Sequence, residues 1–155
     1  MAMTKLDDLI AAHPLLFRGA HPPVPSHLPA GWYALVDELC CGIESNLGRH
    51  RAQQFQVKQV KEKYGGLRFY FAFAGAEDRF FDFQSDEGLC TVVQHANGPP
   101  AMDAIRELVK LAAQASQVTC QKCGALGKRG GYGGRMATLC EVHQAERNEQ
   151  EGQQS

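Results

Sequence analysis

A chain of 155 residues with 16 Lys and Arg against 17 Asp and Glu, and with 44% hydrophobic residues, suits one medium-sized domain with a core of its own and an appended finger. A net charge of −1 weighs against a protein built mainly to coat nucleic acid. There is no run of about 18 apolar residues, and the start Met-Ala-Met-Thr-Lys-Leu-Asp-Asp is too polar and acidic for a secretory signal, so a cytoplasmic protein without a membrane span is expected.

In chain order, Thr4 and Asp7 read as a capping box for a short helix to about Ala12, stopped by His13-Pro14. Prolines 22, 23, 25 and 29 then predict an extended surface loop with His21 and His27 as solvated residues. From Ala30 to about Leu47, residues Trp32, Leu35, Val36, Leu39, Cys40, Ile43 and Leu47 fall on one helix face, and Asp37, Glu38 and Glu44 read as its solvated side.

Phe55 to Phe73 reads as two strands hinged at Gly65-Gly66, a β-hairpin. Alternation puts Leu67, Phe69, Phe71 and Phe73 on the inner face and Arg68, Tyr70 and Ala72 on the outer one. Beyond Gly75, Phe80 to Phe83 and Leu89 to Val93 suit further strands, with His95 in a loop or at a strand edge. Asn97-Gly98-Pro99-Pro100 is a break, and Met102, Ile105, Leu108, Val109, Ala112 and Ala115 predict a second amphipathic helix. Cys40, Cys41 and Cys90 are read as small buried apolar residues, since nothing points to a secreted disulfide framework.

The C-terminal part carries the strongest motif. Cys120-Gln-Lys-Cys123-Gly124 and Cys140-Glu-Val-His143 supply four soft donors as two close pairs, the spacing that holds tetrahedral Zn²⁺. Four protein donors point to a structural site, because a catalytic zinc keeps a position for water. Gly124 lets the knuckle curl, the glycine-rich run to Gly134 suits a tight hairpin, Met136 to Leu139 its return strand, and Cys140 opens a helix towards Asn148. Knuckle, hairpin and helix describe a treble-clef finger. That scaffold also carries HNH-like nucleases, but His143 is claimed as a ligand and the finger holds no second histidine to act as a base, so a nuclease is a minor alternative and no catalytic residue is assigned.

The fold class expected is therefore α+β, an antiparallel hairpin or small sheet packed on two amphipathic helices with a C-terminal treble-clef-like zinc finger. Residues 1–29 form the N-terminal helix and Pro-rich loop, 30–118 the core, 119–148 the finger and 149–155 a disordered tail.

Charge is segregated along the chain. From Arg49 to Arg68 six Lys and Arg face Glu62 alone, and from Cys120 to Cys140 Lys122, Lys128, Arg129 and Arg135 face no acid. Lys58, Lys61, Lys63 and Arg68 around Gly65 and Gly66, joined by Lys128, Arg129 and Arg135, are the candidate binding residues, since cations beside exposed glycine amides suit a phosphate or an acidic protein face.

The string Lys61-Glu-Lys-Tyr-Gly-Gly-Leu-Arg-Phe-Tyr70, joined to the Cys-x-x-Cys-Gly and Thr138-Leu-Cys-x-x-His143 motifs and the Gly31-Trp32 helix start, resembles a family of small phage and prophage proteins whose functions are mostly unassigned. The likeness covers residues 30–74 and 100–145 and leaves 75–98 as an addition. It implies a protein that acts by binding in a bacterial host cell, inhibiting a host defence component or sequestering a nucleotide ligand. A nucleic-acid-binding finger protein and a cyclic-nucleotide sponge stand as alternatives.

Overall fold

A computed structural model describes residues 5–18, 27–73, 76–77, 79–85, 88–94 and 100–152. Thr4, His21, the prolines at 22, 23 and 25, His95 and the Asn97-Gly98-Pro99 break lie outside the described residues. The elements are helix α1 (Leu6–Ala12), a 3₁₀ turn (Ala30–Trp32) leading into α2 (Tyr33–Ala52), strands β1 (Phe55–Lys63), β2 (Gly66–Phe73), β3 (Ala76–Glu77), β4 (Arg79–Ser85) and β5 (Gly88–Gln94), helix α3 (Ala101–Ser116), strands β6 (Lys128–Tyr132) and β7 (Arg135–Leu139), and helix α4 (Glu141–Gly152). The fold is α+β, with small antiparallel sheets ordered β1-β2-β3, β4-β5 and β6-β7. Among the described residues no helix is long and apolar enough to cross a membrane.

The hydrophobic face of α2 is the floor of the core. Trp32, Val36, Leu39, Cys40, Ile43 and Leu47 are buried against the inner face of the β1–β2 hairpin and against Met102, Ile105 and Ala112 of α3. The helix departs from helical φ/ψ at Gly48, where the chain turns towards β1. Strand alternation does what the sequence predicts: Leu67, Phe69, Phe71 and Phe73 are all buried. Phe55 stacks on Phe71 at 5.4 Å and meets Phe73 edge-on at 5.5 Å, geometries that add to burial because ring edges are positive and faces negative. The N-terminal segment belongs to this same core, to which it contributes Leu9, Leu16, Phe17 and Leu28. Arg18 Nη2 donates to the carbonyls of Ala52 and Gln53 at 3.0 and 2.8 Å, satisfying acceptors at the end of α2.

Three expectations are corrected. Asp37 and Glu44 are not a free solvated face of α2: His13, buried between α1 and α2, places Nε2 2.6 Å from Asp37 Oδ1 and Nδ1 against Glu44 Oε1. A histidine entering the core needs partners on both ring nitrogens, and carboxylates two turns apart on one helix face supply them. Cys41 and Cys90 are exposed, whereas Cys40 alone of the three is buried, and burial pushes its thiol far up. Helix α4 runs on to Gly152, into the segment expected as tail.

Strands β4 and β5 pair with each other as an antiparallel hairpin, with Phe83 opposite Cys90 and Asp82 opposite Thr91. It rests on the outer face of β1–β2: Tyr70 and Phe80 rings lie 4.6 Å apart, Lys63 Nζ donates to Asp82 Oδ2, and Thr91 Oγ1 donates to Asp82 Oδ1 at 2.7 Å. Its far face leaves Phe81, Phe83 and Val92 about half exposed.

Candidate metal centre

Cys120 and Cys123 come from the turn after α3, Cys140 links β7 to α4, and His143 lies on the first turn of α4. Each segment has a local reason to bend as it does. Gly124 takes φ +79°, a left-handed conformation natural to glycine, and its N–H donates to Cys120 O at 2.9 Å, closing the knuckle. The β6–β7 hairpin turns at Gly133 and Gly134, both at positive φ, which matches the right-handed twist of the strands they join.

The four donor atoms lie within 4.8 Å of one another. Cys123 Sγ and Cys140 Sγ are 3.8 Å apart, and His143 Nδ1 is 3.2 Å from Cys140 Sγ and 3.4 Å from Cys120 Sγ. Bonds of about 2.3 Å to sulfur and about 2.0 Å to nitrogen put neighbouring donors of a tetrahedron roughly 3.5–3.8 Å apart, so the residues fit a four-coordinate metal ion. Protonated thiols have no comparable reason to converge.

Charge around the quartet also suits a cation. Burial opposes ionisation of Cys120, but the backbone N–H groups of Cys140, Cys123 and Lys122 aimed at its sulfur bring the thiol down to about 6. At Cys123 the Ala125 N–H favours the thiolate, yet desolvation and the neighbouring sulfurs outweigh it and the thiol is raised. His143 is raised by its hydrogen bond to Cys140, against a smaller desolvation effect, with Cys120 adding to it. One thiolate forms readily and resists the next, a repulsion that a bound cation turns into attraction. On the far side of the ring, Glu146 Oε2 stands 3.8 Å from His143 Nε2.

The finger is joined to the core through backbone. Gly31 N donates to Gln121 O at 2.9 Å, and Trp32 Nε1 donates to Thr119 O at 2.9 Å. A Cβ on Gly31 would stand 2.0 Å from Cys120 O, so only glycine permits the approach. At the other end, Thr138 Oγ1 donates to Gly65 O at 2.7 Å and Arg129 Nε donates to Tyr64 O at 2.7 Å, while within the core Leu67 N donates to Ser116 Oγ of α3 at 2.9 Å. Gly65, at φ +80°, packs its backbone on Ala137.

This placement revises the basic turn. Gly65 and Gly66, expected to offer amides to an anion, are buried, and Gly65 N donates to Glu62 Oε1 at 2.7 Å. Lys63 is paired with Asp82, Lys61 Nζ sits 5.6 Å from the Tyr70 ring centroid, and Arg68 is half-buried. Lys58, Lys128, Arg129 and Arg135 are exposed.

The His13 cluster is what sequence reading missed. Its donors come within 4.8 Å of Asp37 and Cys41, and it formally resembles a thiol-histidine-carboxylate group. Both ring nitrogens are held by carboxylates, and partial desolvation, Asp37 and Glu44 push the Cys41 thiol up, which disfavours a thiolate there. Asp37 and Glu44 at i and i+7 were the available signal, but nothing in the sequence pairs them with a histidine 24 residues upstream of Asp37.

The molecule is thus an α+β domain whose C-terminal Cys₃His cluster can hold a metal ion and is fastened to the core at two glycines. The chain matches no family model, no curated protein and no solved structure.

Proposed function

We propose that this is a non-catalytic binding protein of phage or prophage type, held together by structural Zn²⁺, that inhibits or sequesters a host component in the bacterial cytoplasm. Three sulfurs and one imidazole favour zinc over hard cations, and a shell filled by the protein suits a structural role. The observation that carries the binding reading is the Arg129 contact with Tyr64 O, which brings the two basic stretches of the sequence together in one seam. Tyr64 is 46% exposed at that seam, with Lys63 Nζ 5.6 Å from its ring centroid. An exposed aromatic among cations is the composition of a recognition patch for an acidic protein face.

The test is capture of host proteins from a bacterial lysate by the zinc-loaded protein and by a variant with Lys58→Glu, Lys61→Glu, Lys128→Glu and Arg135→Glu. These residues stand outside the finger's contacts with the core, so metal content and melting temperature are expected to stay unchanged while the captured partner is lost. Equal capture by both proteins would sink the seam as the recognition surface.

A second reading, nucleic-acid binding, is favoured by the lysines beside Tyr64 and Tyr70. It requires affinity for DNA or RNA that falls steeply between low and physiological salt as counterions are released. A flat salt response would remove it.

A further inference from the structure

Apart from the seam, the β2 strand, the β4–β5 hairpin and one flank of α3 line an open-sided cavity of about 570 Å³, a size that takes a nucleotide- or drug-sized molecule. Strand β3 pairs only with Ala72 and Phe73, so the β2 edge that lines the cavity has no strand partner among the described residues from Leu67 to Phe71. Tyr70, Phe80, Val93 and Val109 give it apolar and aromatic walls. Charged groups complete the lining: Arg68, Arg106 and Lys110 against Asp103 and Glu107. Arg106 Nη1 donates to Asp103 Oδ1 at 2.5 Å, which leaves Arg68 and Lys110 facing Glu107 with positive charge in excess. Asp82, bonded by the lining residue Thr91, is paired with Lys63.

Arg68 sets the chemistry. Its Nε is buried and has no hydrogen-bond partner within the protein among the described residues. Buried donors are paired in the great majority of folded proteins, and this one lies beneath the cavity lining, out of reach of solvent, so pairing it requires the Arg68 side chain to turn its fork towards an acceptor in the cavity. The Nε and Nη groups of arginine form a planar fork that matches two oxygens of one oxyanion. The Tyr70 hydroxyl stays a neutral donor, because burial, and after it Asp82, raises its pKa.

We propose that this cavity binds a small aromatic anion, with a flat ring seated against Tyr70 and Phe80 and one carboxylate or phosphodiester group accepting from Arg68. A cation is repelled by Arg68 and Lys110, and a multiply charged anion meets Glu107. The site goes beyond the basic seam, and its failure is separable from that of the seam, since neither Arg68 nor α3 belongs to the charge-reversal variant described for it.

The experiment is calorimetric titration of the zinc-loaded full chain with indole-3-acetate, 3′,5′-cyclic AMP and their uncharged counterparts indole and adenosine. At least one anion is expected to bind saturably at one site, with its neutral counterpart about tenfold weaker or more. Indole-3-acetate and cyclic AMP distinguish the carboxylate from the phosphodiester. Arg68→Met, which keeps the apolar stem, is expected to erase the preference for the anion, and Ala113→Trp, which fills the cavity from α3 and leaves residue 68 unchanged, to abolish binding. Zinc content and circular dichroism of each variant check that it is folded. The proposal is overturned if neither anion binds saturably, if indole and adenosine bind as tightly as the anions, or if Arg68→Met or Ala113→Trp binds like the parent.

Discussion

Two hairpins of similar size are fastened to the same β1–β2 unit in different ways. The β6–β7 hairpin is held against backbone: Gly65 packs on the backbone of Ala137, the Thr138 and Arg129 side chains donate to the carbonyls of Gly65 and Tyr64, and the knuckle before the hairpin bonds Gly31. The β4–β5 hairpin is held by side chains, through the Tyr70–Phe80 rings and the Lys63–Asp82 pair at the surface. Contacts without a Cβ between them allow no adjustment, whereas rings and ion pairs can shift and be replaced by water. The finger is therefore part of the core's structure, whereas the β4–β5 hairpin is joined to it through side-chain contacts.

The largest effect expected is from Cys120→Ser. Metal capture and folding are coupled in such sites, with binding free energies of roughly 10 kcal/mol or more in isolated fingers. Zinc content should fall to background and far-UV circular dichroism should lose signal. Next comes Gly31→Ala. With a Cβ placed 2.0 Å from Cys120 O, the start of α2 and the knuckle must separate, at a cost of about 3 kcal/mol or more read from chemical denaturation. Zinc affinity should fall with it, because the displaced carbonyl belongs to a ligand residue.

Gly65→Ala should cost less, about 1–2 kcal/mol, for a left-handed backbone and a 3.1 Å contact with Ala137. The smallest effect is expected from Asp82→Asn in the other hairpin, close to the error of a thermal scan, since the pair lies at the surface. Its hydrogen bond with Lys63 is the main cause both of the lowered Asp82 pKa and of the raised Lys63 pKa. The pair's contribution is complete between their usual values of 3.8 and 10.5, lost below as Asp82 protonates and above as Lys63 deprotonates. Stability profiles of the parent and Asp82→Asn should converge at both extremes of pH. A large effect of Asp82→Asn at neutral pH would erase the contrast between the hairpins.

Much of this was legible in the sequence for physical reasons. Period-2 alternation from Leu67 to Phe73 and the helical spacing from Trp32 to Leu47 record burial directly, and the Cys120, Cys123, Cys140 and His143 spacing records a single coordination sphere. What could not be read are contacts between distant segments. Gly31 and Gly65 looked like a helix start and a turn, because the carbonyl of Cys120 and the backbone of Ala137 that require them lie 89 and 72 residues away. His13 looked like a helix stop, because its partners are on another helix. Arg68 looked like an outward-pointing strand residue until the β4–β5 hairpin covered that face.

Amide hydrogen exchange on the zinc-loaded and chelated protein tests the central claim, that the finger is a staple of the core, most directly. The expected result is that chelation removes protection from the finger amides and also from Gly31 to Tyr33 and from Tyr64 to Leu67, while the β4–β5 hairpin changes little. Loss of protection confined to residues 119–143, with the start of α2 and the β1–β2 turn unchanged, would contradict it.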